Sequence, residues 1–286
     1  MVHSVLTGGV FGVEGYPVVV EVDVSEGLPC IDMVGYLGSE VKEAAGRVRV
    51  ALKNNGYSIP SKRITVNLSP ANKKKDGTAF DLPIALAVLM GMDVVEHPKE
   101  SVLVVGELGL DGSVKKVPGV LPILLMAKEQ GIHTCLVPRE NQKEGMFIKD
   151  MRVFGVGDLK EALECYKNVN AWDNLKEVRE EKLVFMNKPD VDFADIVGQA
   201  VAKRAAEIAV AGFHNLLLYG PPGTGKSMIA AAMPGILPSM NEDEIMETSK
   251  VYSVAGLLNE EYGLIQKRPF LNPHHTITPR ALVGEV

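Results

Sequence analysis

Eight consecutive residues, Gly220-Pro-Pro-Gly-Thr-Gly-Lys-Ser227, have the types and spacing of a phosphate-binding turn. Gly220, Pro221, Pro222, Gly223, Thr224, Gly225, Lys226 and Ser227 satisfy the pattern GxxxxGK[ST] at every fixed position. Glycines let backbone N–H groups wrap an anion with no Cβ in the way. A helix that opens at Lys226 adds positive potential where the phosphates lie. Lys226 is then expected to reach the β- and γ-phosphates of a nucleoside triphosphate, and Ser227 to ligate Mg2+. ATP and Mg2+ are the expected cofactors.

A second concentration of charge lies upstream. Residues 42–75 hold nine basic side chains, Lys42, Arg47, Arg49, Lys53, Lys62, Arg63, Lys73, Lys74 and Lys75. Within that stretch only Glu43 opposes them, inside a chain of net charge −6. Such a stripe is an electrostatic footprint for a phosphate backbone, or else a solvated surface balanced by acids folded nearby. Tyr57 is its only interleaved aromatic, so backbone contact with DNA is favoured over base stacking. The candidate DNA contacts are Arg47, Arg49, Lys53, Lys62, Arg63, Lys73, Lys74 and Lys75.

Other reactive types lack a constellation. His274 and His275 are adjacent, and neither a cysteine nor a carboxylate stands at ligand spacing from them. Cys30, Cys135 and Cys165 are far apart and odd in number, the usage of a reducing cytoplasm. Asp76, Asp81 and Glu107 read as solvated or capping carboxylates. No catalytic residue is assigned.

These residues need elements to hold them. Residues 215–219, Asn-Leu-Leu-Leu-Tyr, read as a buried strand delivering the chain to the phosphate turn, and 225–233 as the helix leaving it. Residues 199–211 read as a preceding helix. Toward the N-terminus, 18–24 alternate apolar and acidic residues as a half-exposed strand does. Further strands are expected at 30–34, 63–68, 102–107, 134–138 and 151–156. Helices are expected at 40–55, capped by Ser39, and at 82–90, 121–130 and 159–166. In the first of them Val41, Ala44, Ala45, Val48 and Leu52 share a face. Asp111-Gly112 marks a turn between two strands. Residues 168–189 are polar and aperiodic, with Trp172 among them, and read as a linker. The expected organisation is an α+β domain over 1–168, a linker over 169–190 and a nucleotide-binding domain over 191–286.

Composition limits the class. The chain has 286 residues, 46% of them hydrophobic and 23% charged, as in ordinary globular domains, which excludes a disordered or collagen-like chain. The N-terminus lacks a basic segment followed by a long apolar run, and no apolar run approaches the ~18 residues of a membrane helix. A cytoplasmic protein with no membrane partner is expected.

Taken with Asp192-Phe-Ala-Asp-Ile-Val-Gly-Gln199, Gly212-Phe-His-Asn215, Ser253-Val-Ala-Gly256 and Arg268-Pro-Phe-Leu-Asn-Pro273, the phosphate turn resembles that of AAA+ ATPases. The resemblance is closest to their magnesium-chelatase-like branch and within it to the YifB/ComM family. It extends to Gly27-Leu-Pro29, Arg63-Ile-Thr-Val-Asn-Leu68 and Val105-Gly-Glu-Leu-Gly-Leu-Asp-Gly112. Residues 75–81 and 104–123 are also similar to segments of Lon-type proteases. Carried over by position, the Lon nucleophile falls on Ala79 and its lysine on Ile123, so proteolysis is not expected; Thr78 and Lys116 stand out of register. The resemblance implies an N-terminal fold like Lon and domain 2 of ribosomal protein S5, then the front of an α/β P-loop AAA+ domain. It implies an ATP-driven homo-oligomeric ring acting on DNA, helicase- or branch-migration-like, in transformation or recombination. The acidic Walker B pair and the arginine finger of such motors are not found before Val286, and Glu242-Asp-Glu244 follows no apolar strand. This chain is therefore expected to bind ATP without hydrolysing it. The alternatives are a metal-chelatase-type motor subunit and an inert ATP-binding fragment or interaction module.

Overall fold

A computed structural model describes residues 2–168, 191–258, 263–273 and 276–278. The expected linker with Trp172, the pair His274 and His275, and the last eight residues lie outside the described residues. Contacts divide the chain into two units. Among the described residues the first holds everything up to 168 together with Met246–Ile265, a stretch expected in the second domain. The second takes the rest.

The first unit is a mixed α/β fold around a seven-stranded sheet, most of whose pairings are parallel. Strands β1 (His3–Phe11) and β2 (Glu14–Ser25) form an antiparallel hairpin running from His3↔Val22 to Phe11↔Glu14. β3 (Cys30–Val34) is parallel to β4 (Arg63–Ser69), which is antiparallel to β2. On the other side β1, β5 (Val102–Val104), β8 (Thr134–Pro138) and β9 (Arg152–Val156) run parallel in that order. The side-chain period of two buries Val18, Val20 and Val22 beside Ile64, Val66 and Leu68. Helices α1 (Ser39–Asn54) and α2 (Asp81–Gly91) cover the sheet, and α2 is apolar all round because it is buried from Asp81 to Met90. Helix α3 (Val120–Glu129) packs on β1 and β2. Close approach there requires glycine, since a Cβ on Gly8 would collide with Ile123 and one on Gly15 with the Pro122 carbonyl. A short α4 (Gln142–Gly145) and α5 (Leu159–Lys167) complete this part.

Several local expectations change. The strand over 102–107 is two, β5 and β6 (Glu107–Leu108), because Val105 and Gly106 donate out of line to Leu136 and Ala79. β6 pairs with β7 (Val114–Lys115) across the expected turn. Ser39 is the first helical residue of α1; Gly38 occupies the cap without a side-chain bond. Ala51 replaces Ala45 on the fully buried face of α1. The central strand β1 was not anticipated, since Thr7-Gly8-Gly9 interrupts its apolar pattern.

The second unit begins with a turn of 3-10 helix at Phe193–Asp195, closed by reciprocal bonds between Asp192 and Asp195. Helices α6 (Ala200–Ala211) and α7 (Lys226–Ile236) follow, then the first turn of α8 (Glu242–Val254). Ile196, Ala206, Ile229 and Ala232 are its buried core, joined by Leu216 and Leu218. Residues 215–219 are not the buried strand expected. Leu216 and Leu218 turn inward, whereas Leu217 and Tyr219 are 89% and 97% exposed. The alternation of an extended chain is present, but a strand needs a neighbouring ladder, and none is formed among the described residues. No helix among the described residues is long and apolar enough to cross a membrane.

Candidate functional site

The phosphate turn lies between the extended segment 215–219 and the start of α7. Gly223 and Gly225 take φ of +78° and +81°, the left-handed region that favours glycine, and a Cβ on either would meet nothing within 4 Å. The turn is therefore an open strip of backbone. Gly225 caps α7 without a side-chain bond, so the first N–H groups of that helix keep their hydrogen-bonding capacity for an outside acceptor. Lys226 folds back across the turn, its Nζ donating to the Pro221 carbonyl at 2.7 Å and to Thr224 Oγ1 at 3.4 Å. The Thr224 hydroxyl donates to the same carbonyl at 3.0 Å. Gln199, from the segment before α6, donates to the Thr224 carbonyl at 3.4 Å. The turn thus sets an ammonium beside a glycine-rich backbone at the start of α7, in which Lys226 is the first residue and Ser227 the second. Pro221, Pro222 and Gly223 are exposed, as a ligand-accepting edge must be.

Of the acidic run Glu242-Asp-Glu244, the last residue is tied to its neighbours. Glu244 accepts the Asn241 N–H at 2.9 Å, and one terminal nitrogen of Arg268 donates to both of its oxygens at 2.9 Å; these contacts lower its pKa. Among the described residues no group of three His, Cys, Asp or Glu converges as a metal site would require.

The basic stretch is not one stripe. Tertiary folding brings acids from outside 42–75 to four of its nine cations, as the reading of a surface balanced by acids folded nearby expects for that part of it. Arg47 makes a two-point bond to the buried Asp81 at 2.7 and 2.9 Å. Lys62 pairs with Glu26 at 2.9 Å, Arg63 with Asp32 at 2.6 Å and Lys74 with Asp76 at 2.8 Å. Lys73 stands 4.6 Å over the Tyr16 ring. Lys75 is fully buried, donating to the Pro70 and Lys73 carbonyls, and burial lowers its pKa. A side chain removed from water in this way cannot meet a polyanion, so Lys75 leaves the candidate contacts. Lys42, Arg49 and Lys53 stay exposed on α1.

At the protease-like positions, Ala79 accepts the Gly106 N–H through its carbonyl, and Ile123 is buried against Gly8. Thr78 gives its hydroxyl to Glu107, and Lys116 donates to the Leu258 carbonyl at 3.1 Å. The two out-of-register residues are thus held by different partners. Asp81, expected to be solvated or capping, is buried; desolvation raises its pKa and Arg47 opposes that rise. A second buried carboxylate, Glu144, escaped the sequence reading. It accepts from Asn141 at 2.6 Å, Leu121 N–H at 3.0 Å and Ser253 Oγ at 2.6 Å. Its pKa is raised by burial against the pull of those donors. It borders a cavity of about 320 Å3 with Lys116, Pro118, Ser253 and Leu258. No local spacing announces this group, because Asn141 and Ser253 are more than a hundred residues apart.

Two family models match the chain: "Subunit ChlI of Mg-chelatase" over residues 20–141 and "Magnesium chelatase, subunit ChlI" over residues 192–286. Competence protein ComM of Haemophilus influenzae is 39% identical over 278 residues, covering 96% of this chain and 54% of that protein. YifB of Escherichia coli, an uncharacterised protein, is 37% identical, covering 97% of this chain and 54% of its own length. Lon protease of Mycolicibacterium smegmatis is 30% identical over 150 residues, half of this chain and 19% of that protein. The chain spans about half the length of the curated ComM and YifB relatives that it matches.

Proposed function

The chain belongs to the magnesium-chelatase ChlI-like family that includes ComM and YifB, and on that premise we propose that it binds Mg-ATP at the turn 220–227. One observation carries the reading. Gly223 and Gly225 hold the backbone in an open left-handed nest at the start of α7, with Lys226 laid across it. Backbone N–H groups of the turn hold the phosphates, Lys226 neutralises the β- and γ-phosphates, and Ser227 ligates Mg2+. Bound Mg2+ supplies charge neutralisation to the phosphates.

The reading extends to a DNA-associated member of the family, active in full-length form as a homo-oligomeric ring. The N-terminal fold shared with Lon and with domain 2 of ribosomal protein S5 belongs to the same reading, and so does the domain division at 168 and 191. Glu244, in the first turn of α8, does not stand ready to activate water, since it is committed to Asn241 and Arg268. We therefore propose binding without turnover by this chain alone.

Calorimetric titration with Mg-ATP tests it. Binding is expected and Lys226→Ala should weaken it at least tenfold, about 1.4 kcal/mol. Equal affinity in the variant overturns the site. Steady ATP turnover by the purified chain, lost in Lys226→Ala, overturns the proposal of binding alone.

A further inference from the structure

Helix α1 carries a row of cations on its outer side, with a glycine in the middle of the row. Lys42, Gly46, Arg49 and Lys53 are separated by four, three and four residues, so they stack along one face. The helix buries Val41, Ala44, Val48 and Leu52 on a face about 100° round from the three cations. All four residues of the row are exposed. At 1.5 Å per residue the row is about 16 Å long. Among the described residues the side chains of Lys42, Arg49 and Lys53 form no ion pair or hydrogen bond, unlike Arg47, Lys62, Arg63 and Lys74. The acids of the same helix stand to one side: Glu43 lies 3.9 Å from Arg47, and Glu40 lies in the first turn.

Gly46 is the second, independent observation. Glycine inside an exposed helix costs stability. Packing does not require it, because a Cβ there would meet nothing within 4 Å. Backbone conformation does not require it either, since its φ is not positive. A missing side chain at this point leaves the helix backbone open to close approach from outside the chain. A body that reaches the helix backbone between Lys42 and Arg49 and is gripped by three cations is narrow, elongated and anionic.

We propose that the Lys42–Gly46–Arg49–Lys53 side of α1 docks the sugar-phosphate backbone of a nucleic acid. The proposal rests on the DNA-associated reading and assigns its contact surface. The row offers no aromatic side chain for base stacking and only the partly exposed Val50 beside it, so neither base readout nor insertion into a lipid surface fits. Backbone contacts carry no base information, so binding is tolerant of sequence.

Fluorescence anisotropy with the whole chain and a labelled DNA duplex of random sequence, repeated across salt concentrations, tests this. Each phosphate contact contributes about 0.9 to the slope of log affinity against log salt. The variant Lys42→Gln/Arg49→Gln/Lys53→Gln should bind about tenfold more weakly and lose about 2–3 units of slope. Gly46→Gln should weaken binding several-fold while raising the melting temperature, which separates a blocked contact from a damaged fold. Lys99→Gln/Lys160→Gln, on other exposed surfaces, should change neither. An unchanged slope in the triple variant, or unchanged binding by Gly46→Gln, overturns the row as the contact. So does loss of slope in Lys62→Gln/Lys73→Gln/Lys74→Gln with none in the α1 variant. Equal, row-dependent binding of polyglutamate overturns the assignment to nucleic acid. Failure of the unmodified chain to bind DNA, with Mg-ATP binding intact in the same sample, removes the DNA-associated reading as well and leaves the nucleotide site standing.

Discussion

Asp81 shows what one side chain asks of its surroundings. Its carboxylate has no exposure and depends on Arg47, whose guanidinium meets both oxygens, and on the Leu108 N–H. Burial holds its pKa above the ordinary 3.8, with Arg47 pulling the other way. Arg47→Ala removes the pull and leaves a buried charge uncompensated, a loss of about 3–5 kcal/mol at neutral pH. A folded-state pKa above the unfolded one means that the folded chain binds the proton more tightly, so this group's contribution to stability falls as pH rises through that window. In the variant the pKa rises further. The deficit should therefore narrow as the pH is lowered toward 3.8. Urea unfolding of both proteins over a pH series measures this, and a deficit independent of pH would show that Asp81 is not the group left stranded.

At the scale of the element, α1 is held by one face and taxed on the other. Val41, Ala44, Val48, Ala51 and Leu52 are fully buried, which is where its stability comes from. Gly46 on the solvent side gives back about 0.5–1 kcal/mol relative to alanine. Gly46→Ala should therefore raise the unfolding free energy by that amount, read from thermal or urea melts, because open space surrounds the position. A loss of stability instead would mean that the glycine serves the fold and not an outside partner. Helix α7 makes the complementary case. Its Gly225 cap takes positive φ without a side-chain bond, so the helix start forgoes a capping interaction, which the phosphates of the proposed nucleotide would replace.

At the scale of the molecule, the first unit is completed by residues far along the chain. Ser253 reaches the buried Glu144 and the Leu121 N–H, and its carbonyl accepts the Gly119 N–H at 2.8 Å. Lys250, 10% exposed, pairs with Glu14 at 2.9 Å. Without Met246–Ile265, Glu144 loses a donor and the Gly119 N–H loses its acceptor. Each such buried group costs about 1–3 kcal/mol when left unsatisfied. A chain ending after residue 182 should therefore be less stable than the same unit in the whole chain. Hydrogen exchange should speed up first at Gly119 and Leu121. Equal protection of both amides in the shortened chain would refute this account of the unit.

What the sequence determined by itself was local. The phosphate turn is legible because eight adjacent residues carry its glycines, its lysine and its hydroxyl, and the helices with a periodic face, such as α1 and α5, declare themselves within a few turns. The residues aligned with a protease dyad, Ala79 and Ile123, are equally plain, since a missing hydroxyl or amine is visible in the residue type. Pairing was not legible. Whether 215–219 joins a ladder depends on a second strand, and the glycine at position 8, in β1, is required by α3, more than a hundred residues away. The basic stretch read as nine cations against one acid. Folding set Glu26, Asp32, Asp76 and Asp81 beside four of those cations and buried Lys75, leaving Lys42, Arg49 and Lys53 in a row. Charge adds up along a sequence, but its field depends on distances in space, and those distances exist only once the chain has folded.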